Sequence, residues 1–254
     1  MRLEVEVLDT EEEVGRRAAQ LVADELAAGR LGAFGVATGS SPAQVYASLA
    51  AGRLPGWDGV EVFALDEYVG LPPGHPQSYA AVIDREVRAP LGLDPGRVHV
   101  PDGAAEDLTG ACDAYERALE ERGGVDVQLL GIGATGHIGF NEPGSPFDSR
   151  TRVVDLTERT VADNARFFAS ADDVPRRAVT QGIGTIARAR RHVLIALGAA
   201  KAAVVRAALE GEVSEECPAS ALRTFEDVLV LLDPGAASQL TRRPASRRSP
   251  AGAR

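Results

Sequence analysis

Leu129-Leu130-Gly131-Ile132-Gly133-Ala134-Thr135-Gly136-His137-Ile138-Gly139-Phe140-Asn141-Glu142-Pro143 is the stretch that decides how the chain is read. An apolar run opens into a loop broken by glycines at 131, 133, 136 and 139. Glycine loses more conformational freedom on folding than any other residue, so such a loop is wasteful unless backbone must come close to something. It presents one histidine, His137, and five residues later one glutamate, Glu142. The expectation is a buried strand over 125–130 that feeds a ligand-facing loop.

Working outward, the same alternation recurs. Residues 3–7 alternate as a short strand, and 33–37, 60–65, 192–197 and 228–232 are short apolar runs bounded by turn residues. Between them lie helical patterns. Thr10 precedes Glu11, Glu12 and Glu13, an N-cap followed by acids in the first turn, and Gly29 can end that helix. Ser41 and Pro42 fit the cap and first position of a second helix. Residues 80–87, 107–122, 157–168, 174–189 and 202–209 read as further helices, with Gly182 and Gly184 as weak points in the fourth of these. Strand and helix in alternation predict an α/β fold: a Rossmann-like, open, mostly parallel sheet with helices on both faces. One domain is expected over 1–240, followed by a basic tail over 241–254.

The 254 residues are 44% hydrophobic and 25% charged, as in ordinary globular proteins. No apolar run approaches a membrane span, and the acidic, alternating N-terminus is not a signal peptide. Cys112 and Cys217 lie far apart without a CxxC or clustered histidines, which fits reduced thiols in a cytoplasmic protein. The net charge is −10 although the last fourteen residues carry five arginines and no acid. So acidic a body argues against nucleic acid as the main partner. The tail, rich in Arg, Pro, Ser and Ala, reads as disordered, with contact to a polyanion as the alternative.

In an open parallel sheet, ligands bind beyond the carboxyl ends of the strands. Thr38, Gly39, Ser40 and Ser41 follow the second expected strand, Asp66 the third, His137 the fourth and Lys201 the fifth. Thr38-Gly39-Ser40-Ser41 at a helix start suits a phosphate, since free backbone N–H groups point outward there; an ordinary turn with a serine cap is the plain alternative. Lys201 and Arg166 can supply positive charge to such an anion, or be surface cations. Asp66 can be a general base, a metal ligand or a helix cap, and with no second acidic cluster in sequence metal is the weakest of the three. His137 and Glu142 suit a base and the carboxylate that fixes its tautomer. His75, His99 and His192 read as incidental or structural. No GxSxG elbow is present. The inventory suits proton transfer on a phosphorylated sugar, without a metal or other cofactor.

At these residues the chain resembles the glucosamine-6-phosphate deaminases, in the wider group that includes 6-phosphogluconolactonases. The resemblance extends to about Asp233. It rests on Ala37-Thr38-Gly39-Ser40-Ser41-Pro42, on Leu65-Asp66-Glu67-Tyr68-Val69-Gly70-Leu71, on His75-Pro76-Gln77-Ser78-Tyr79 and on Gly136-His137-Ile138-Gly139-Phe140-Asn141-Glu142-Pro143. Ser149-Arg150-Thr151-Arg152, Asn164-Ala165-Arg166-Phe167-Phe168, Leu197-Gly198-Ala199-Ala200-Lys201 and Pro218-Ala219-Ser220 extend it. Lactonases share the Gly-His pair but not the Phe-Asn-Glu-Pro after it. The resemblance implies conversion of glucosamine 6-phosphate and water to fructose 6-phosphate and ammonia, in amino-sugar catabolism. It implies that His137 opens the pyranose ring with Glu142 orienting it. Asp66 would be the base that moves the proton between C2 and C1. Ser40, Arg166 and Lys201, with backbone near Gly39, would hold the phosphate, and residues 157–180 would be a mobile lid.

The chain also departs from that family. Thr135 stands where an Asp or Asn is usual, and a threonine can hydrogen-bond but carries no charge. Some members are hexamers activated by N-acetylglucosamine 6-phosphate, and Val154 and Asp155 occupy positions that would need a Lys and a Thr. Weak or absent activation is therefore expected although Arg152 is retained. After Ser220 the glutamine and His-Pro common there are missing. The sequence leaves a monomer and a homo-oligomer equally open. Two other readings compete: a lactonase-type hydrolase and a non-catalytic sugar-phosphate sensor.

Overall fold

The computed structural model of the chain describes residues 1–241. The expected basic tail lies, from residue 242 onward, outside the described residues.

Seven strands form a parallel sheet: β1 (Arg2–Val7), β2 (Ala33–Val36), β3 (Glu61–Ala64), β5 (Val98–His99), β6 (Val127–Gly131), β9 (Arg191–Ala196) and β10 (Asp227–Leu232). Their spatial order is β1-β10-β9-β6-β2-β3-β5. Central strands such as β2 and β10 are apolar almost throughout because helices cover both faces. Alternate residues serve opposite layers. Leu129, Val193 and Leu231 join one core with Phe34 and Val62, while Leu130, Leu194 and Val230 join the other with Ile183 and Val205. Helices α1 (Glu11–Ala27) and α2 (Ser40–Gly52) cover the first layer, and α8 (Ala202–Glu210) covers the second.

From β2 the chain builds outward through β3 to β5; from β6 it builds the other way through β9 to β10. The order therefore reverses between β2 and β6, and the crevice beyond their carboxyl ends is where an open α/β sheet takes a ligand.

The remaining helices are α3 (Tyr79–Ile83), continued by a π-helical stretch into α4 (Ala89–Leu91), then α5 (Leu108–Glu121), α6 (Glu158–Asn164) and α7 (Ile183–Ile186). Thr10 caps α1 as expected, accepting from the Glu13 N–H at 3.1 Å. At α2 the expected serine cap is absent. Gly39, at φ +108°, holds the cap position, and the helix begins at Ser40 with no side-chain cap.

The larger departure is a second sheet. β4 (Asp66–Tyr68), β8 (Arg177–Thr180) and β7 (Arg152–Asp155) pair antiparallel in the order β4-β8-β7. The helix expected over 174–189 is instead strand β8 followed by the single turn of α7. Gly182 and Gly184 explain the break. A Cβ on Gly182 would lie 2.1 Å from the Ser149 carbonyl oxygen, and one on Gly184 2.9 Å from that of Asp148. These glycines admit a crossing backbone. The expected helix over 157–168 is α6 followed by a 3-10 turn over Ala165–Phe167, with Thr157 as its N-cap. The last four residues of the expected lid, 177–180, are sheet. Both cysteines are free thiols. Among the described residues no helix is long and apolar enough to cross a membrane.

Candidate active site

The loop after β6 is built around the histidine ring. Gly133 donates its N–H to the His137 carbonyl at 2.9 Å, and Gly136 donates to the Gly133 carbonyl at 3.1 Å. A Cβ on Gly133 would stand 2.0 Å from the imidazole, so only glycine lets the ring fold over the loop. Gly136, at φ +87°, turns the chain where a Cβ would also meet the Cys217 Sγ at 2.9 Å.

His137 Nδ1 lies 3.3 Å from Glu142 Oε2 and 2.9 Å from the Thr135 hydroxyl. Thr135 donates to the same Glu142 oxygen at 2.8 Å. A hydroxyl has one proton, and a carboxylate can only accept. Thr135 must therefore accept from Nδ1–H, which leaves Nε2 of the neutral ring free to take a proton. The other Glu142 oxygen, Oε1, accepts from Thr157 at 3.0 Å and from the buried Thr160. Burial alone would push the Glu142 carboxyl up; the bonds from His137, Thr160 and Thr135 outweigh it and hold the group down to about 2. Glu142 is thus a fixed anion, and Thr135 completes the relay without adding charge.

Asp66 opens β4, one residue after the parallel sheet ends. It is 6% exposed, and among the described residues its carboxylate accepts no hydrogen bond. Burial, then the neighbouring Glu67, pushes it up to about 8. Glu67 instead braces the backbone, accepting from the N–H groups of Tyr68, Tyr79 and Ala80 at 2.7–2.9 Å. The tip of the histidine loop reaches Asp66, since a Cβ on Gly139 would lie 3.4 Å from Asp66 Oδ2.

Buried amides hold these two parts together. Asn141 Nδ2 donates to the Ile138 carbonyl at 2.9 Å and the Gln181 carbonyl at 2.8 Å. Gln181 donates in turn from its backbone to Leu65 and from its side chain to Ala64. Arg152 donates to Asn141 Oδ1 at 2.8 Å and Ser145 Oγ at 3.1 Å. Its guanidinium is already engaged in this framework. Sequence reasoning quoted Asn141 without a role and passed over Gln181, Thr157 and Thr160. Each makes a bond to a partner 15 to 117 positions away in the chain, where spacing carries no signal.

The expected anion ligands fall into two groups. Lys201 ends a 3-10 turn after Gly198 and donates to the Ile132 carbonyl at 2.7 Å, at the base of the histidine loop. Burial, with Arg166 and Arg159 nearby, lowers its pKa, against the pull of Asp163. Arg166, on the turn after α6, stacks over Phe167 with its guanidinium carbon 4.7 Å from the ring centroid. Thr38, Gly39 and Ser40 form the other group, beyond β2. A Cβ on Gly39 would meet nothing within 4 Å, so this backbone faces open space. Among the described residues no hydrogen bond links the two groups; Thr38 to Ser40 stand beyond β2, and Lys201, on the turn after β9, reaches the end of β6, the other strand that flanks the reversal in strand order. Among the described residues no group of three or more His, Cys, Asp or Glu side chains is placed to hold a metal ion.

Comparison with known proteins decides the family. The model of the family described as glucosamine-6-phosphate isomerases/6-phosphogluconolactonase matches residues 9–231. The chain belongs to this family. Within the glucosamine-6-phosphate isomerase/6-phosphogluconolactonase family, it is 54% identical to a glucosamine-6-phosphate deaminase of Cutibacterium acnes, over 94% of this chain and 93% of that protein. It is 44% identical to the one from Shewanella loihica, over 94% of this chain and 90% of that protein. A solved structure of a monomeric glucosamine-6-phosphate deaminase superposes with a TM-score of 0.90 at 41% identity, covering 94% of this chain and all of that one. The 6-phosphogluconolactonase of Trypanosoma brucei shares the fold, at a TM-score of 0.77 and 22% identity over 94% of this chain and 99% of that one.

Proposed function

We propose that this protein converts glucosamine 6-phosphate and water to fructose 6-phosphate and ammonia. The observation that carries the reading is the pairing of two separate proton-transfer groups: the tautomer-fixed His137 and the buried Asp66 against the tip of the same loop. His137 Nε2 takes the proton from the sugar's O1 hydroxyl and returns it to O5, which opens the ring. Asp66, once ionised, removes the C2 proton while one proton of the substrate's ammonium passes to O1, which gives an enolamine of the enediol type. It returns the proton to C1 and leaves the imine at C2. Water adds to that imine, ammonia departs, and the ketose remains. The general-base role needs a carboxylate poised near the working pH, which burial supplies. Amides and hydroxyls at the start of α2, with Arg166 and Lys201, bind the phosphate. Residues 157–176 close over the site and exclude water from the intermediate. The free thiols Cys112 and Cys217 fit a cytoplasmic setting.

One assay tests the reading. Release of ammonia and fructose 6-phosphate from glucosamine 6-phosphate, undiminished by a metal chelator, is the expected result. Release of acid from 6-phosphogluconolactone with no ammonia would make it a lactonase; binding without turnover would make it a sensor.

A further inference from the structure

The donors that Glu142 recruits from outside its own loop come from one place. Thr157 is the N-cap of α6 and Thr160 lies in its first turn, and both hydroxyls end on Glu142 Oε1. The two hydroxyl oxygens lie 3.2 Å apart, and the Thr160 N–H donates to Thr157 Oγ1 at 3.2 Å. Thr160 is only 2% exposed. The other end of the same helix is close to the cation site. Asp163, in its last turn, acts on the charge of Lys201, and Arg166 follows on the next turn. One short helix thus spans from the carboxylate that orients His137 to the cations assigned to the phosphate.

We propose that Thr157 and Thr160 are positioning residues that couple capture of the substrate's phosphate to the alignment of His137. The inference rests on the reaction proposed above. When Arg166 engages the phosphate, α6 is drawn into one position. Its two hydroxyls then fix Glu142 Oε1, which turns Oε2 toward Nδ1 and leaves Nε2 aimed at the sugar. With α6 displaced, Glu142 keeps only Thr135 and His137 and can rotate. Ring opening is therefore efficient only in a site whose lid has found a phosphate. A hydrogen bond to a charged acceptor is among the stronger ones in a protein, so each threonine has leverage on the carboxylate.

The test compares Thr160→Val and Thr157→Val with Thr160→Ser by steady-state kinetics on glucosamine 6-phosphate, with inorganic phosphate as a competitive inhibitor. Valine keeps the shape and removes the hydroxyl; serine keeps the hydroxyl. The expected result is a fall in kcat of about tenfold for each valine variant, with KM and phosphate inhibition within about twofold of the parent. Serine at 160 should restore most of kcat. A kcat unchanged in both valine variants overturns the proposal. So does a loss in which kcat, KM and phosphate inhibition weaken together and serine gives no rescue, because that is the mark of a damaged fold. Failure of the unmodified protein to release ammonia would be a different failure: it removes the proposed reaction, and this inference with it.

Discussion

Asp66 carries the sharpest consequence at the scale of single residues. Its pKa of about 8 stands above the usual 3.8 because burial penalises the anion. A group raised in the folded state favours folding fully below pH 3.8, and that contribution is lost as pH rises through about 8. Asp66→Asn should therefore gain melting temperature over the parent across that window and match it near pH 3.8. The same substitution should abolish C2 proton exchange with solvent and lower kcat by roughly 10²–10⁴-fold, and kcat/KM of the parent should climb with pH toward 8. Exchange that persists in the variant, followed by deuterium incorporation, would remove Asp66 from the base role. Gly133→Ala tests the other group. With a Cβ 2.0 Å from the imidazole, His137 must leave its place, so activity should fall by more than about a hundredfold while substrate still binds. The places of Asp66 and His137 beyond buried apolar runs, and of Glu142 in the same glycine loop as His137, were legible in the sequence. The groups that tune them were not. Asn141, Gln181, Thr157 and Thr160 reach the site through tertiary pairing, and no local pattern marks a threonine that will donate to a distant carboxylate.

The elements divide by how they are specified. Thr10, Asp107 and Thr157 each cap a helix with a side chain that accepts from the backbone N–H three residues on. Such signals are local, and α1 and α5 follow the spacing read from the sequence closely. Thr10→Ala should cost about 1 kcal/mol in chemical denaturation and leave kcat unchanged, since Thr10 follows the edge strand β1, three strands from β6. Six of the seven parallel strands were equally legible as buried apolar runs; β5, two half-buried residues at the sheet edge, was not. β4, β7 and β8 were not: they are three or four residues long, and their conformation is imposed by one another. Ala178-Val179-Thr180 has nothing in its own spacing to favour strand over helix. It becomes a strand because β4 and β7 offer hydrogen bonds on both sides.

At the scale of the whole molecule, the two sheets divide the chemistry. The parallel sheet supplies the crevice at its strand-order reversal, with the histidine loop on one flank and the open backbone of Gly39 on the other. The antiparallel sheet supplies Asp66 and carries the segment whose Val161 and Val174 pack against Tyr68 and Phe140. That segment is the connection of a hairpin: β7 and β8 pair from Arg152↔Thr180 to Asp155↔Arg177, and the Leu156 N–H then donates to the Arg176 carbonyl at 2.8 Å. Replacing residues 157–175 with Asn-Gly should thus leave a protein that unfolds cooperatively and retains its sheets by circular dichroism. Its turnover should fall by more than about a hundredfold, because Glu142 loses two donors and the ligand role proposed for Arg166 is lost with it. The closed hairpin also bears on descent. Each doubling of such a loop adds only about 0.6 kcal/mol of closure entropy. Residues can be inserted or deleted there over generations with little penalty to folding, while the base and the histidine stay where the sheets put them. New substrate preferences in this scaffold can therefore arise first in the length and content of that one segment, ahead of any change in the machinery beneath it.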